Sequence, residues 1–260
     1  MTRYLHHLST TDVAAIEKSN AVLVQPIGAI EQHGPHLPVM TDAFVAEQIA
    51  ARAADAIDGS ADAQVYVLPT LHYGKSTEHL GWAGTMSLTS ESLLAVLKDV
   101  GRSVAASGFT RLAFVNGHGG NPASLDVAAR DIRTDTGLLV FPVTTGRLGV
   151  PAGLELPDAE FSIHGGHVET SVMLHLAPET VHPDRFEIGG AHLPELFPGE
   201  LSLEGALPTA WISDDLTTNG VIGDPRSATA EIGEEIVTHW THRLATAYAQ
   251  MAEFAFRSTP

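Results

Sequence analysis

The sequence predicts an α/β domain, residues 1–260 as one unit, with a mostly parallel central sheet and helices on both faces. Three observations predict it. Short apolar runs alternate with longer segments whose apolar residues recur at helical spacing. No internal repeat or low-complexity linker divides the chain. Histidines and carboxylates gather just after the apolar runs, and in open α/β sheets ligands bind outside the carboxyl ends of the strands.

The elements follow in order. Ala21–Ile27 reads as a buried strand. Asp42 to Ile57 carries Phe44, Val45, Ile49, Ala53 and Ile57 at helical spacing, with Thr41 as its N-cap. Val65–Pro69 is the second strand. Thr89 or Ser90 caps a helix bearing Leu93, Leu94, Leu97, Val100 and Val104, which stops at Gly108. Arg111–Val115 is the third strand. Asn121 as N-cap and Pro122 in the first helical position start the next helix, which ends near Gly137. Leu138–Val143 is the fourth strand. The stretch from Thr144 to Phe161 is Gly/Pro-rich, a loop or lid. Val172 to Leu176 is helical and stops at Pro178. His182 to Pro225 is irregular, and a last helix runs roughly from Ala228 to Phe256 with Ile236, Trp240, Leu244, Ala247 and Met251 on one face.

The chain has 31 acidic and 14 basic residues, a net charge of −17. That excludes a nucleic-acid or anionic-membrane partner. There is no cysteine, hence no disulfide, thiol nucleophile or thiolate metal site. The first residues lack an apolar signal core, and no 18-residue apolar run occurs, which predicts a soluble cytoplasmic protein. No nucleophile elbow, phosphate loop or zinc-protease helix motif is present.

The chemistry centres on Gly28–Asp42, where Glu31, His33, His36 and Asp42 lie within twelve residues. His72, Glu78 and His79 follow the second strand, His118 the third, His164 and Glu169 the fourth. Glu31, His33, Asp42 and His118 can converge on one crevice. Oxygen and imidazole donors suit Zn²⁺, Mn²⁺ or Fe²⁺. With Glu169 there are three carboxylates, enough for two cations sharing a bridging carboxylate, the arrangement that acidifies a water and polarises a carbonyl. His118 sits between glycines, and the N–H groups of Gly119 and Gly120 can hold an oxyanion. His164 reads as a loop-capping residue or as a general acid for a leaving nitrogen. Glu169 reads as a helix-end carboxylate or a ligand. Glu78 and His79 read as support or as substrate contacts. His167 and His175 read as structural or surface groups, and His6, His7, His239 and His242 as solvated.

Several segments resemble the creatininase family of metal-dependent amidohydrolases. They are Gly28-Ala-Ile-Glu-Gln-His-Gly-Pro-His-Leu-Pro38 with Asp42, Glu78-His79 with Gly84-Thr85, Asn116-Gly-His-Gly-Gly-Asn121, His164-Gly-Gly-His-Val-Glu-Thr-Ser171 and Gly220-Val-Ile-Gly-Asp224. They occur in family order over residues 20 to 230. The resemblance implies a three-layer α/β sandwich, two divalent ions and a homohexamer built as a trimer of dimers. It implies Asp42 as the bridge, Glu31 and His118 on one metal, His33 on the other, and His164 as the catalytic histidine. Creatininases carry an aromatic residue and a glutamate where this chain has Gly119 and Gly120, and they close tryptophans over creatinine before the fourth motif. No tryptophan lies within Thr144–Ile163 here. Glu169 is therefore the candidate for the second metal's terminal carboxylate. The fourth and fifth motifs are similar to the branch that trims the mycofactocin precursor peptide. The expected activity is hydrolysis of a carbonyl–nitrogen bond in a small cyclic amide or short peptide. The alternatives are a mycofactocin-type peptidase and a metal-binding protein without turnover.

Overall fold

The computed structural model describes residues 3–57, 63–156 and 161–256. Its sheet contains β1 (Val22–Ile27), β2 (Val65–Val67), β3 (Arg111–Asn116) and β4 (Leu139–Thr144). The order is β2-β1-β3-β4 and every pairing is parallel. The helices are α1 (Thr10–Ala14), α2 (Thr41–Asp55), α3 (Ser90–Ala106), α4 (Pro122–Thr136), α5 (His167–Leu176), α6 (Leu193–Leu196), α7 (Ser213–Leu216) and α8 (Ala230–Glu253).

Side-chain alternation makes three layers. Val22 and Val24 of β1, with Val65, Val67, Ala113 and Val115, face the layer of α2, α5 and α8. Leu23 and Ile27, with Tyr66, Leu112 and Phe114, face α3 and α4. Both faces of the sheet are covered, so the strands read as near-continuous apolar runs. The long α8 lays Ile236, Trp240, Leu244, Tyr248 and Met251 on this core, much as their helical spacing predicts. The region 182–225 is irregular as expected, with only α6 and α7. Leu193, Leu203, Leu216 and Ile222 give it a small apolar cluster of its own. Among the described residues no helix is long and apolar enough to cross a membrane.

The topology selects the site. The connection through α2 carries the chain from β1 to β2, and the connection through α3 carries it back past β1 to β3. The winding reverses between β1 and β3, and the crevice at such a reversal is where ligands sit. Two glycines bring the loops together there. A Cβ on Gly28 would strike the backbone of Ala43 in α2, and one on Gly117 would strike the carbonyl of Asp42.

One cap assignment needs correction, and one cap residue works differently from the usual way. Met40, not Thr41, precedes α2; Thr41 is its first residue and donates its hydroxyl back to the Pro38 carbonyl at 2.7 Å. Asn121 does precede α4, with Pro122 in the first turn, but its side chain makes no cap bond. Its amide instead joins three loops. Nδ2 donates to the Gly28 carbonyl (3.1 Å) and to Asn116 Oδ1 (3.0 Å), and Oδ1 accepts from the Lys75 N–H (2.9 Å). Tertiary donors outcompete the local cap because this amide is completely buried among unpaired backbone groups.

Gly117→Ala is expected to destabilise the fold by about 1–3 kcal/mol, since the atom it meets is backbone and cannot swing aside. Urea unfolding with an unchanged slope would show it as a lower midpoint. A midpoint equal to wild type would mean that the β1 and β3 loops have slack between them.

Candidate metal centre

The first loop delivers Glu31 and His33 immediately after β1, and Asp42 arrives as the second residue of α2. The β3 loop delivers His118. All four are buried. His118 Nδ1 lies 3.2 Å from Glu31 Oε2 and 3.0 Å from Asp42 Oδ2. His33 Nε2 lies 3.1 Å from Asp42 Oδ1 and 3.9 Å from Glu169 Oε2. Asp42 thus stands between His118 and His33, one oxygen toward each. His164 Nδ1 and His79 Nε2 each lie 3.5 Å from Glu31 Oε1.

The outer nitrogens fix the tautomers. His118 Nε2 donates to the Lys75 carbonyl (2.8 Å), His33 Nδ1 to the Glu31 carbonyl (3.2 Å), and His164 Nε2 to the Gln32 carbonyl (2.6 Å). Each ring thereby points its other nitrogen at the carboxylates, the arrangement expected of metal-binding histidines; on His33 and His118 that nitrogen carries a proton that a cation would displace. His79 is the reverse. Its Nδ1 accepts from the Gln32 amide (3.0 Å) and meets Ser213 Oγ (2.6 Å), so its proton sits on Nε2 and faces Glu31. His79 therefore orients Glu31 and has no lone pair for a cation. Ser76 adds a hydroxyl donor to Glu31 Oε2.

The electrostatics agree. Burial alone would pull His33 down, but the Asp42 carboxylate, helped by Glu169 and Glu31, outweighs it and holds the ring up at about 10. His118 is also held well above its usual value, against burial, by Glu31 and Asp42. Burial disfavours the Asp42 charge, yet His33 and His118 together hold its carboxyl well below the usual range. Burial pushes Glu169 up to about 7 despite the pull of His33. Burial, then the neighbouring His33, keeps His164 neutral. Burial, then His164, lowers His79 to about 3.

The residues fit divalent cations on grounds internal to the structure. Asp42 Oδ2 is buried and has the His118 ring, 3.0 Å away, as its one neighbour for a shared proton or cation among the described residues. Three inward imidazole nitrogens converge on carboxylates that already have their outer partners. Three groups, Glu31–Asp42–His118, His33–His164–Glu169 and Glu31–His79–His164, bring their donor atoms within 4.8 Å of one another; in the third, His79 turns its N–H to Glu31.

Other residues named from the sequence fall variously. Gly119, Gly120, Glu78 and His79 line the same cleft, of about 270 Å³, as Glu31, Asp42, His118, His164 and Glu169. Gly120 has no room for a side chain, because a Cβ there would meet the Glu78 carboxylate and lie 2.5 Å from the Lys75 carbonyl. His36 is not in the cluster; it is buried against Thr170 (2.9 Å) and Phe186. His72 is exposed, as are His6, His7 and His242. His239 is half-buried rather than solvated, with Nε2 donating to the Leu148 carbonyl at 3.3 Å. His167, at the start of α5, is buried and bonds the Ser227 carbonyl, a structural role.

Sequence reasoning missed Gln32, Lys75, Ser76, Trp211 and Ser213. Lys75 lines the cleft in an ion pair with Glu78 at 2.5 Å. Trp211, from the irregular 182–225 region, stands edge-on to His79 with ring centres 6.3 Å apart. The cleft thus has a tryptophan from outside the 144–163 stretch, which contains none. Residues 157–160 of that stretch lie outside the described residues.

A carboxylate–imidazole cluster at the switch point of a parallel α/β sheet defines a metal-dependent hydrolase. The creatininase family model, described as creatinine amidohydrolase, matches residues 6–248. A mycofactocin precursor peptide peptidase of Mycolicibacterium smegmatis is 36% identical over 230 residues, covering 88% of this chain and 85% of that protein. A creatinine amidohydrolase of Pseudomonas putida is 32% identical over 206 residues, covering 71% and 74%. Among solved structures, a Zn-Zn type creatininase variant matches with a TM-score of 0.75 and 26% identity, and a Mn creatininase with 0.74 and 25%, each covering 95% of this chain and 97% of the other. The chain belongs to the creatininase family and is a metal-dependent amidohydrolase.

Because His33 and His118 hold protons on the nitrogens that a cation needs, metal uptake near pH 7 is expected to release protons. Apparent affinity should then rise with pH up to the His33 value of about 10. Titration calorimetry in buffers of different ionisation enthalpy reads the release directly. Uptake without proton release would place the metal elsewhere.

Proposed function

We propose that this chain is a two-metal hydrolase that cleaves an amide bond in a short peptide. The observation that carries it is the convergence of Glu31, His33, Asp42, His118 and Glu169 at the switch-point crevice, with the histidine tautomers already set for cations. Glu31 and His118 would hold one cation and His33 and Glu169 the other, with Asp42 within reach of both. Glu169 replaces a side chain at position 120, where Glu78 leaves no space. Its Oε2 is held toward His33 by the Gly165 N–H at 2.6 Å. Zn²⁺ suits this donor set, as do Mn²⁺ and Fe²⁺.

The chemistry such a pair supplies is polarisation of the scissile carbonyl and acidification of a water. The rest belongs to the protein. Gly119 and Gly120 line the cleft beside His118, where their N–H groups can meet the oxygen that gains charge. His164, neutral and with Nδ1 facing inward, takes the proton from the attacking water and returns it to the leaving nitrogen. Its Nε2–H bond to the Gln32 carbonyl holds the ring in that tautomer. Glu78 and His79 frame the cleft, and His79 also fixes Glu31.

A peptide substrate is favoured by the longer and closer match to the mycofactocin precursor peptide peptidase than to the creatinine amidohydrolase. A small cyclic amide is the second reading, supported by the flat wall of Trp211 beside His79. Family likeness and the exposed Tyr73, Leu80 and Met86 between β2 and α3 support a homo-oligomer, a hexamer by analogy.

Chelation should abolish hydrolysis and Zn²⁺, Mn²⁺ or Fe²⁺ should restore it, assayed on short peptides, formamides and cyclic amides including creatinine. Peptide cleavage far above creatinine cleavage is expected. Full activity in metal-free protein would end the two-metal reading, and turnover of cyclic amides alone would exchange the peptide for the second.

His164→Ala should lower kcat by about 10²–10⁴-fold with both metals retained, the range for losing a general acid or base. Loss of a metal in that variant would make His164 a ligand.

A further inference from the structure

Beside the metal cleft lies a second cavity of about 330 Å³. Its walls are apolar: Val45 of α2, Val150 and Leu156 of the loop after β4, Val172 of α5 and Trp240 of α8. The two spaces adjoin, because Asp42, Ile163 and Glu169 line both. The proposed metal-holding carboxylates thus form the end of a mostly apolar chamber, whose other polar side chains are the hydroxyls of Thr41, Thr145 and Ser162.

The chamber is built rather than left over. Its loop wall is strapped to α8 by three side chains. Trp240 Nε1 donates to the Gly149 carbonyl at 2.6 Å, His239 Nε2 donates to the Leu148 carbonyl, and the Arg243 guanidinium donates to that same carbonyl. Trp240 is itself almost fully buried. The wall is therefore held in place before a ligand arrives, and the cost of ordering it does not fall on binding. Gly146 and Gly149 present no side chain to the space.

We propose that this cavity is a specificity pocket that receives a large aliphatic or aromatic side chain of the substrate residue next to the cleaved bond. The proposal rests on the amide-hydrolase reading and narrows it to peptides with an apolar residue at that flank. An acidic side chain would enter beside Glu169 and Asp42 with no cationic partner among the cavity's lining residues and would lose its hydration. A glycine would leave the chamber wet and forgo the apolar contact. Trp211 and the Glu78 side lie across the cleft, so the rest of the peptide extends that way.

The test uses the metal-loaded full chain and short peptides in which each residue flanking the bond is in turn Gly, Ala, Leu, Phe or Asp. At one flank, Leu and Phe should exceed Gly in kcat/KM by roughly tenfold or more, and Asp should be poorest. Val150→Trp, a partly exposed loop position, should fill the pocket and bring the Leu-to-Gly ratio toward one, with metal content as the folding control. A binding arm keeps the pocket separate from turnover. N-acetyl-leucinamide, but not N-acetyl-glycinamide, should shift the Trp240 indole N–H resonance in wild type and not in Val150→Trp. Cleavage with no side-chain preference at either flank overturns the pocket and leaves the hydrolase reading standing. Equal shifts, or none, with both amides at millimolar concentration also overturn it. Selective leucinamide binding in a protein that cleaves none of the peptides supports the pocket and removes the peptide reading.

Discussion

The structure depends on a charge that has to be kept where water is almost absent. Asp42 is 3% exposed, at the first turn of α2, with His33 on one oxygen and His118 near the other. An isolated carboxylate in that position would be costly enough to protonate instead. Here two imidazoles oppose the burial, and the result is a carboxyl held well below its usual range. The helix start adds a favourable dipole, since Asp42 lies in the first turn of α2. In the metal-free state a proton on each inward nitrogen takes the position that a cation would take. The cluster is therefore stable enough to fold around and still open to exchange.

That arrangement constrains the backbone in turn. Asp42 reaches the crevice only if α2 begins hard against the ends of β1 and β3, which is why Gly28 and Gly117 have no room for a Cβ. Asn121 then ties the β1, β2 and β3 loops together through Gly28, Lys75 and Asn116. Lys75 closes the circuit, because its carbonyl accepts from His118 while its ammonium pairs with Glu78. A small set of loop residues thus converts strand order into ligand geometry, on a sheet too rigid to reposition them.

Much of this was legible in the sequence. Each of the four strands begins and ends within two residues of its expected place, because buried parallel strands are unbroken apolar runs and their boundaries are marked by glycine, proline and polar clusters. The residues of the centre were legible because they sit just after strands, in short loops whose destination the fold class dictates. What stayed hidden depends on long-range contacts. Asn121 has the right chemistry to cap, and only the neighbouring loops decide that its side chain bonds elsewhere. Trp211 and Ser213 lie in a region without periodicity, more than 130 residues from His79, and no local pattern announces their return. Gln32 lay in plain view between Glu31 and His33, but its work is done by an amide and a carbonyl that bond His79 and His164.

Gly120 and Glu169 mark where this cleft has no room for a carboxylate and where it has one. A carboxylate growing from position 120 would have to occupy the space that the Glu78 side chain fills, beside the Lys75 carbonyl to which His118 is anchored. Glu169 approaches His33 from the opposite side, at the start of α5, with its oxygen steered by the Gly165 N–H. Drawing the carboxylate from α5 has a geometric consequence. It brings the first turn of that helix to the crevice, and the apolar residues next to Glu169, Val168 and Val172, then line the adjoining cavity. The position of the Glu169 carboxylate and the shape of the neighbouring chamber are thus set by the same short helix, so a change in one carries a change in the other.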